Sequence, residues 1–227
     1  MALYVKAGPD GKSLGDCPFA HFIRMVLEVK GLDYELKPST QDTKPSWLIE
    51  YYDGNMPALR HRKECYVESD TIAAYLEFFF PKPELTPSSD VEADAAAAAV
   101  DGLFPAMAQY IKHTPDGDEI DVEKNEKLRA ALAKLNDHLS SPSRTGPYLV
   151  GNGSVIRMND CKLAPILYHM STAIPAFKGD DEFISLMNSF PSIQSYTDHM
   201  FNADTSFQRT VYPADVVIWG WSNARNN

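Results

Sequence analysis

Cysteine is scarce in this sequence. The 227 residues hold three, Cys17, Cys65 and Cys161, far apart and odd in number. A small secreted scaffold stapled by disulfides carries more of them, in pairs, so free thiols in a reducing compartment are expected. No Cys-x-x-Cys occurs and no two histidines stand at ligand spacing, so no metal is expected. Positive charge is also short: 21 Lys and Arg face 31 Asp and Glu, a net charge of -10. Phosphate backbones repel such a chain, which excludes nucleic acid as a partner but not a local basic pocket for an anionic ligand. Long apolar runs are missing. Ile72 to Phe80 is interrupted by Glu77, and Ala93 to Val100 is short, against the ~20 residues a bilayer needs. Met1 to Lys6 shows no basic region followed by an apolar stretch, so no signal peptide is expected. No internal repeat occurs.

What is present is ordinary globular material, 44% hydrophobic and 23% charged. The first third alternates strand and helix signals. Leu3 to Lys6 reads as a strand and Gly8-Pro9-Asp10-Gly11 as a turn. From Pro18, suited to a first helical turn, apolar residues recur at helical spacing up to Gly31, a C-cap residue. A strand over Tyr34 to Leu36, a helix over Pro45 to Tyr52, a hairpin of Ala58 to His61 with Tyr66 to Glu68, and a helix over Asp70 to Phe80 follow. Ser69 or Asp70 is expected near the N-cap of that last helix. The order βαβαββα resembles the thioredoxin-like arrangement. Pro81 to Asp90 is rich in proline and serine and reads as a linker. Beyond it, helices are predicted over Val91 to Lys112, Val122 to Leu139, Asp160 to Thr172 and Phe183 to Asn202, with a glycine- and proline-rich loop over Ser140 to Gly153. The expected organisation is an α/β thioredoxin-like domain (1–82), a linker (83–90) and an all-α domain (91–227), an order that resembles the glutathione transferase architecture.

Cys17 stands in Gly15-Asp16-Cys17-Pro18-Phe19, just before a predicted helix. Free N–H groups and the helix dipole favour an anion there, and such a cysteine can have its pKa lowered from ~8.5 into the ~3.5–7.5 range. The expectation is a catalytic thiolate. The residue three positions on is Ala20, so an intramolecular Cys-x-x-Cys disulfide is excluded and turnover needs an external thiol, for which glutathione is the natural choice. Cys65 and Cys161 lack this context and read as structural. Met56-Pro57 before the hairpin is a second signal, because in thioredoxin-like folds this proline is cis and the backbone before it pairs with a bound peptide. Glu68-Ser69-Asp70 is a third. A hydroxyl, a carboxylate and free N–H groups at a helix start can hold a γ-glutamyl group, or simply cap the helix.

These residues resemble the dehydroascorbate reductase family, a branch of the glutathione transferases close to the omega class and the chloride intracellular channel proteins. The likeness runs through Val5-Lys6-Ala7, Leu14 to Phe19, Lys44 to Trp47, Met56-Pro57, Glu68-Ser69-Asp70, Gly146-Pro147-Tyr148, Leu163-Ala164-Pro165, Leu167-Tyr168-His169, Ser206-Phe207 and Gly220-Trp221. The resemblance implies Cys17 as nucleophile, with Lys6, Asp16, His169 and Trp221 lining the ascorbate and dehydroascorbate side of a cleft. It implies Lys44, Met56, Pro57, Ser69 and Asp70 on the glutathione side. Glutathione is then a co-substrate, with no tightly bound cofactor. A monomer without stable membrane association, in the cytoplasm or chloroplast stroma, is expected. In three places the sequence departs from the family pattern. Ala20 stands for a serine, Asn55-Met56 for lysine and valine, and Arg157 at the start of a capping box ending at Asp160, which points to Asn159 as an alternative cap. An omega-like thioltransferase acting on mixed disulfides, a membrane-inserting channel-like protein and a non-catalytic glutathione-binding protein remain open beside this reading. Against insertion, the segment after Cys17 carries His21, Arg24, Glu28, Lys30 and Asp33.

Overall fold

The computed structural model describes residues 1–86, 90–114 and 118–225. Four strands, β1 (Ala2–Lys6), β2 (Glu35–Ser39), β3 (Ala58–His61) and β4 (Glu64–Val67), form one sheet in the order β2-β1-β3-β4. β1 pairs in parallel with β2, from Ala2 opposite Glu35 to Lys6 opposite Ser39, and antiparallel with β3. Side-chain alternation along β1 buries Leu3 and Val5 in the core and leaves Lys6 exposed at the strand's end. β2 runs further than the expected Tyr34 to Leu36 and takes in Pro38, tolerated because β2 is an edge strand.

Three helices flank the sheet: α1 (Pro18–Val29), α2 (Ser46–Tyr52) and α3 (Ser69–Phe79). α1 stops where expected, with Gly31 at φ 63 just past its last turn. Every residue from Ala20 to Leu27 is buried, His21 and Arg24 included. One face meets the core of this half and another meets the helical half. Ser69 and Asp70 stand at the start of α3 as expected, as its first two residues, and the N-cap itself is Glu68, held at φ 67.

The rest is helical: α4 (Asp90–Val100), α5 (Leu103–Lys112), α6 (Asp118–Leu139), α7 (Met158–Lys178), α8 (Asp180–Asn188), α9 (Pro191–Asn202), α10 (Thr205–Thr210) and α11 (Ala214–Arg225). The single helix expected over Val91 to Lys112 is two, broken at Gly102, whose φ of 79 no helix accommodates. The one expected over Phe183 to Asn202 is also two, because Pro191 begins a new helix instead of continuing the old one. α7 overruns its expected end at Thr172 and absorbs Pro175. α10 and α11 were not expected at all.

At α7 the N-cap is Arg157 and not Asn159. The Asp160 carboxylate accepts from the Arg157 amide at 2.8 Å, from the Leu149 amide at 2.7 Å and from the Tyr196 hydroxyl at 3.0 Å. A guanidinium has no acceptor, so this is the acidic half of a capping box only. Burial nonetheless raises Asp160 to about 6.

Of the expected linker, Pro87, Ser88 and Ser89 lie outside the described residues. Its earlier part is tied down. Leu85 is buried and its amide donates to Glu77 Oε1 at 2.8 Å. The Lys30 ammonium donates to the Phe80 and Pro83 carbonyls at 2.7 and 2.9 Å.

Candidate functional site

The site is built where β1 ends. After Lys6 the chain loops out and returns, and the Gly15 amide donates to the Lys6 carbonyl at 2.8 Å. A Cβ on Gly15 would stand 2.6 Å from that carbonyl oxygen, so only glycine permits this approach. Within the loop, Asp10 accepts from the Lys12 and Ser13 amides, which hold its carboxyl down at about 2. The turn delivers Cys17 to the N-cap of α1, with Pro18 opening the helix. From the helical half, the Tyr212 hydroxyl donates to the Cys17 carbonyl at 3.3 Å.

Two cavities meet at Cys17. The larger, about 670 Å³, is walled by Lys6, Cys17, Lys44, Met56 and Trp219 among others. The smaller, about 240 Å³, is walled by Lys6, Asp16, Cys17, Lys112, His169 and Trp221, with Phe19 and Phe104 packed edge to face at 5.0 Å as an apolar side. Lys6 and Cys17 belong to both linings. A groove of comparable size, about 600 Å³, lies on the helical half and includes Tyr110, Asn125 and Arg129. It holds no nucleophile, and its Asp121 is already bonded to Lys178 at 2.5 Å.

The polar groups of the smaller cavity are already organised. Lys6 Nζ donates to Asp16 Oδ1 at 2.7 Å and lies 5.2 Å above the Trp219 ring. The other carboxylate oxygen of Asp16 presses on α11, so that a Cβ at Gly220 would stand 1.8 Å from it. Gly220 is thus the opening through which Asp16 fits. The Trp221 indole N–H donates to His169 Nδ1 at 3.0 Å. An indole can only donate, so neutral His169 carries its proton on Nε2. That atom is buried without a hydrogen-bond partner. Burial pulls His169 down to about 4, against the upward pull of Asp16.

The thiol does not follow expectation. Burial pushes the Cys17 pKa up, and Asp16 adds to that. The amides of Ala20 and Phe19, together with Lys6, pull it down without prevailing. The amides at the start of α1 favour the thiolate, but desolvation outweighs them.

In the larger cavity, Lys44 donates to Gln41 Oε1 at 2.8 Å. The Met56–Pro57 peptide is cis, and Pro57 is buried as the chain turns into β3. Ser69 and Asp70 stand outside both linings. Asp70 gives both carboxylate oxygens to Lys162 of α7, at 2.7 and 2.9 Å, a pairing absent from the sequence-based expectations. Trp219, Gly220, Phe104 and Lys112 were also missed as site residues. Trp219 had a signal, since residues two apart on a helix face different ways and Trp219 and Trp221 wall different cavities. Lys112 and Phe104 had none. Among the described residues, no group of three or more His, Cys, Asp or Glu is placed to hold a metal ion.

Comparison with known proteins gives a consistent picture. The family model for the glutathione S-transferase N-terminal domain matches residues 16–77. The chloroplastic glutathione S-transferase DHAR3 of Arabidopsis thaliana is 29% identical over 92% of this chain and 74% of its own length. The probable cytosolic glutathione S-transferase DHAR1 of Oryza sativa subsp. japonica is 27% identical over 92% of this chain and 91% of its own. The crystal structure of Chlamydomonas reinhardtii dehydroascorbate reductase superposes with a TM-score of 0.80 at 30% identity, covering 98% of this chain and 97% of that one.

Proposed function

The chain belongs to the dehydroascorbate reductase family of the glutathione transferases, and from that premise we propose that it reduces dehydroascorbate to ascorbate with glutathione, using Cys17 as nucleophile. The observation that carries this reading is the position of Cys17 on the shared wall of two cavities, one of about 670 Å³ and the other of about 240 Å³ with Lys6, Asp16 and His169 in its lining.

Glutathione occupies the larger cavity. Its glycyl carboxylate pairs with Lys44, its peptide backbone lies along Met56 before Pro57, and its γ-glutamyl end extends past the lining toward Ser69 and Asp70, where the Asp70–Lys162 pair must share the Asp70 carboxylate with it. Dehydroascorbate occupies the smaller one, where His169 Nε2–H and Lys6 offer donors and Asp16 an acceptor, while Trp221 keeps His169 in the donating tautomer. The Cys17 thiolate adds to a carbonyl carbon of dehydroascorbate. A glutathione thiolate then attacks the Cys17 sulfur, forming a mixed disulfide as the carbon–sulfur bond breaks and its electron pair leaves in ascorbate. A second glutathione thiolate attacks the glutathione sulfur of that disulfide and returns the Cys17 thiolate. Two glutathione thiols thereby lose two electrons and two protons; dehydroascorbate takes both electrons and one proton to become the ascorbate anion, and the second proton goes to solvent. The protein supplies positioning and electrostatics, and no tightly held cofactor enters this cycle.

A monomer is the proposed working unit. Among the described residues no helix is long and apolar enough to cross a membrane. The rice relative is named cytosolic and the Arabidopsis one chloroplastic, which supports cytoplasm or chloroplast stroma as the proposed location. The test follows ascorbate appearance by ultraviolet absorbance with glutathione present. Wild type is expected to turn over and Cys17→Ser to be inactive; a Cys17→Ser protein that kept most of the activity would end the mechanism. Comparing kcat/KM for dehydroascorbate with that for a glutathione mixed disulfide separates this reading from a thioltransferase.

A further inference from the structure

We propose that Lys112 contacts the substrate directly and is the cation that holds the negative charge of ascorbate as it forms and before it leaves. This rests on the reading of the smaller cavity as the dehydroascorbate site.

The oxidised substrate is neutral, whereas ascorbate is an anion at neutral pH. A site that only matched dehydroascorbate would lack a counter-charge for the product and for the transition state leading to it. Of the charged groups around the smaller cavity, Lys6 and Asp16 already neutralise each other at 2.7 Å, with the Lys6 ammonium also set over the Trp219 ring. His169 is neutral, because its Nδ1 accepts from the Trp221 indole while burial disfavours a second proton. The remaining cation in that lining is Lys112, the last residue of α5. Among the described residues it makes no ion pair and no side-chain hydrogen bond, so its charge is uncommitted.

A lysine in the last turn of a helix has an ordinary use, serving the free carbonyls and the negative end of the dipole. Here other residues already do that work. Arg225 Nη1 donates to the Ile111 carbonyl and, at 3.1 Å, to that of His113. Lys178 Nζ donates to the same His113 carbonyl at 3.0 Å. The Ile111 and His113 carbonyls at the end of α5 are thus served from α11 and α7, and Lys112 lines the cavity. Phe104, two turns earlier on α5, packs on Phe19 of α1 and ties α5 to the wall that carries Cys17.

The test measures ascorbate binding to the Cys17→Ser protein by quenching of tryptophan fluorescence, with Lys112 intact, as Lys112→Met and as Lys112→Arg. Losing one charge-assisted contact weakens binding about tenfold in Lys112→Met, and Lys112→Arg restores most of it. In the Cys17-containing enzyme, inhibition by added ascorbate weakens by the same factor and kcat/KM for dehydroascorbate falls with it, while KM for glutathione holds. Lys112 is exposed, so the variants are expected to fold, and Lys112→Gln serves as a second neutral replacement. Unchanged ascorbate affinity and inhibition in both neutral variants, beside an active wild type, overturn the role of Lys112 alone. A wild type that forms no ascorbate overturns the proposed function instead.

Discussion

Lys6, Asp16 and Cys17 reach the cleft from one strand and the turn beside it, whereas Lys112, His169, Trp219 and Trp221 reach it from three separate helices. The first group is placed by local backbone. Gly15 lets the turn close on the Lys6 carbonyl, and Pro18 starts the helix that Cys17 caps. The second group is placed by packing: α11 must lie against Asp16 and α7 must bring His169 under the Trp221 indole. The nucleophile thus belongs to a short, nearly self-sufficient segment, and the recognition of its electrophile to the tertiary contacts between halves. Replacements in the two groups should fail differently.

The largest expected effect is local. Cys17→Ser should lower glutathione-dependent turnover at least about a thousandfold with little change in melting temperature, since a nucleophile is lost and no cavity is made. Next comes the seam between the groups. Gly220→Ala places a Cβ against the Asp16 carboxylate, so Asp16 or α11 must move. A misplacement of that kind costs about a hundredfold in kcat/KM and about 1–3 kcal/mol in urea unfolding. An unchanged Gly220→Ala enzyme would show that the seam is slack.

Trp221→Phe keeps the ring and removes the indole donor, leaving His169 free to change tautomer. We expect kcat/KM for dehydroascorbate to fall about tenfold with KM for glutathione nearly constant. Equal losses for both substrates would contradict the division between the cavities.

Acidity distinguishes the two groups again. Because desolvation raises Cys17, kcat/KM should climb with pH through the neutral range as the thiol ionises. A pH-independent rate across the neutral range would mean that Cys17 is already ionised. On the helical side, Asp160 and His169 oppose each other in stability. Asp160 is raised to about 6 from an ordinary value of ~3.9, so its contribution, complete below pH ~4, is lost as pH rises through 6. His169 is lowered to about 4 from ~6.5, so its contribution, complete above ~6.5, is lost as pH falls through 4. Each is worth on the order of 3 kcal/mol at full extent, so their contributions roughly cancel between pH 4 and 6.5. In His169→Gln the cancellation ends. Urea unfolding should then show stability declining as pH rises from 4 to 6, relative to wild type. The smallest effect is expected at Lys162→Gln. Its pair with Asp70 crosses the halves, but Asp70 is well exposed, and such pairs contribute less than about 1 kcal/mol.

The legible parts of the sequence were those governed by neighbours along the chain. Leu3 and Val5 alternate, Gly31 ends a helix, and Cys17 before Pro18 marks a helix start, each within a few residues. Errors came where distant contacts decided. Nothing near Gly102 or Pro191 said that a helix would restart after a single break. The segment 214–225 is held as a helix by packing against α5 and α7, contacts that its own residues do not announce. Lys112 gave no signal because its meaning depends on Arg225 and Lys178 having taken the carbonyls beside it.

The sequence by itself determined an acidic, cysteine-poor chain with one thiol before a helix-starting proline and no second thiol three residues on to resolve it. Those are properties of residue identity and short-range geometry, and folding does not alter them. The tertiary structure decided the protonation bias of that thiol, the tautomer of His169, the pairing of Asp70 with Lys162 and the second lysine in the smaller cavity. Each depends on desolvation or on a partner far away in sequence. Both are quantities that a chain acquires only once its halves have closed on one another.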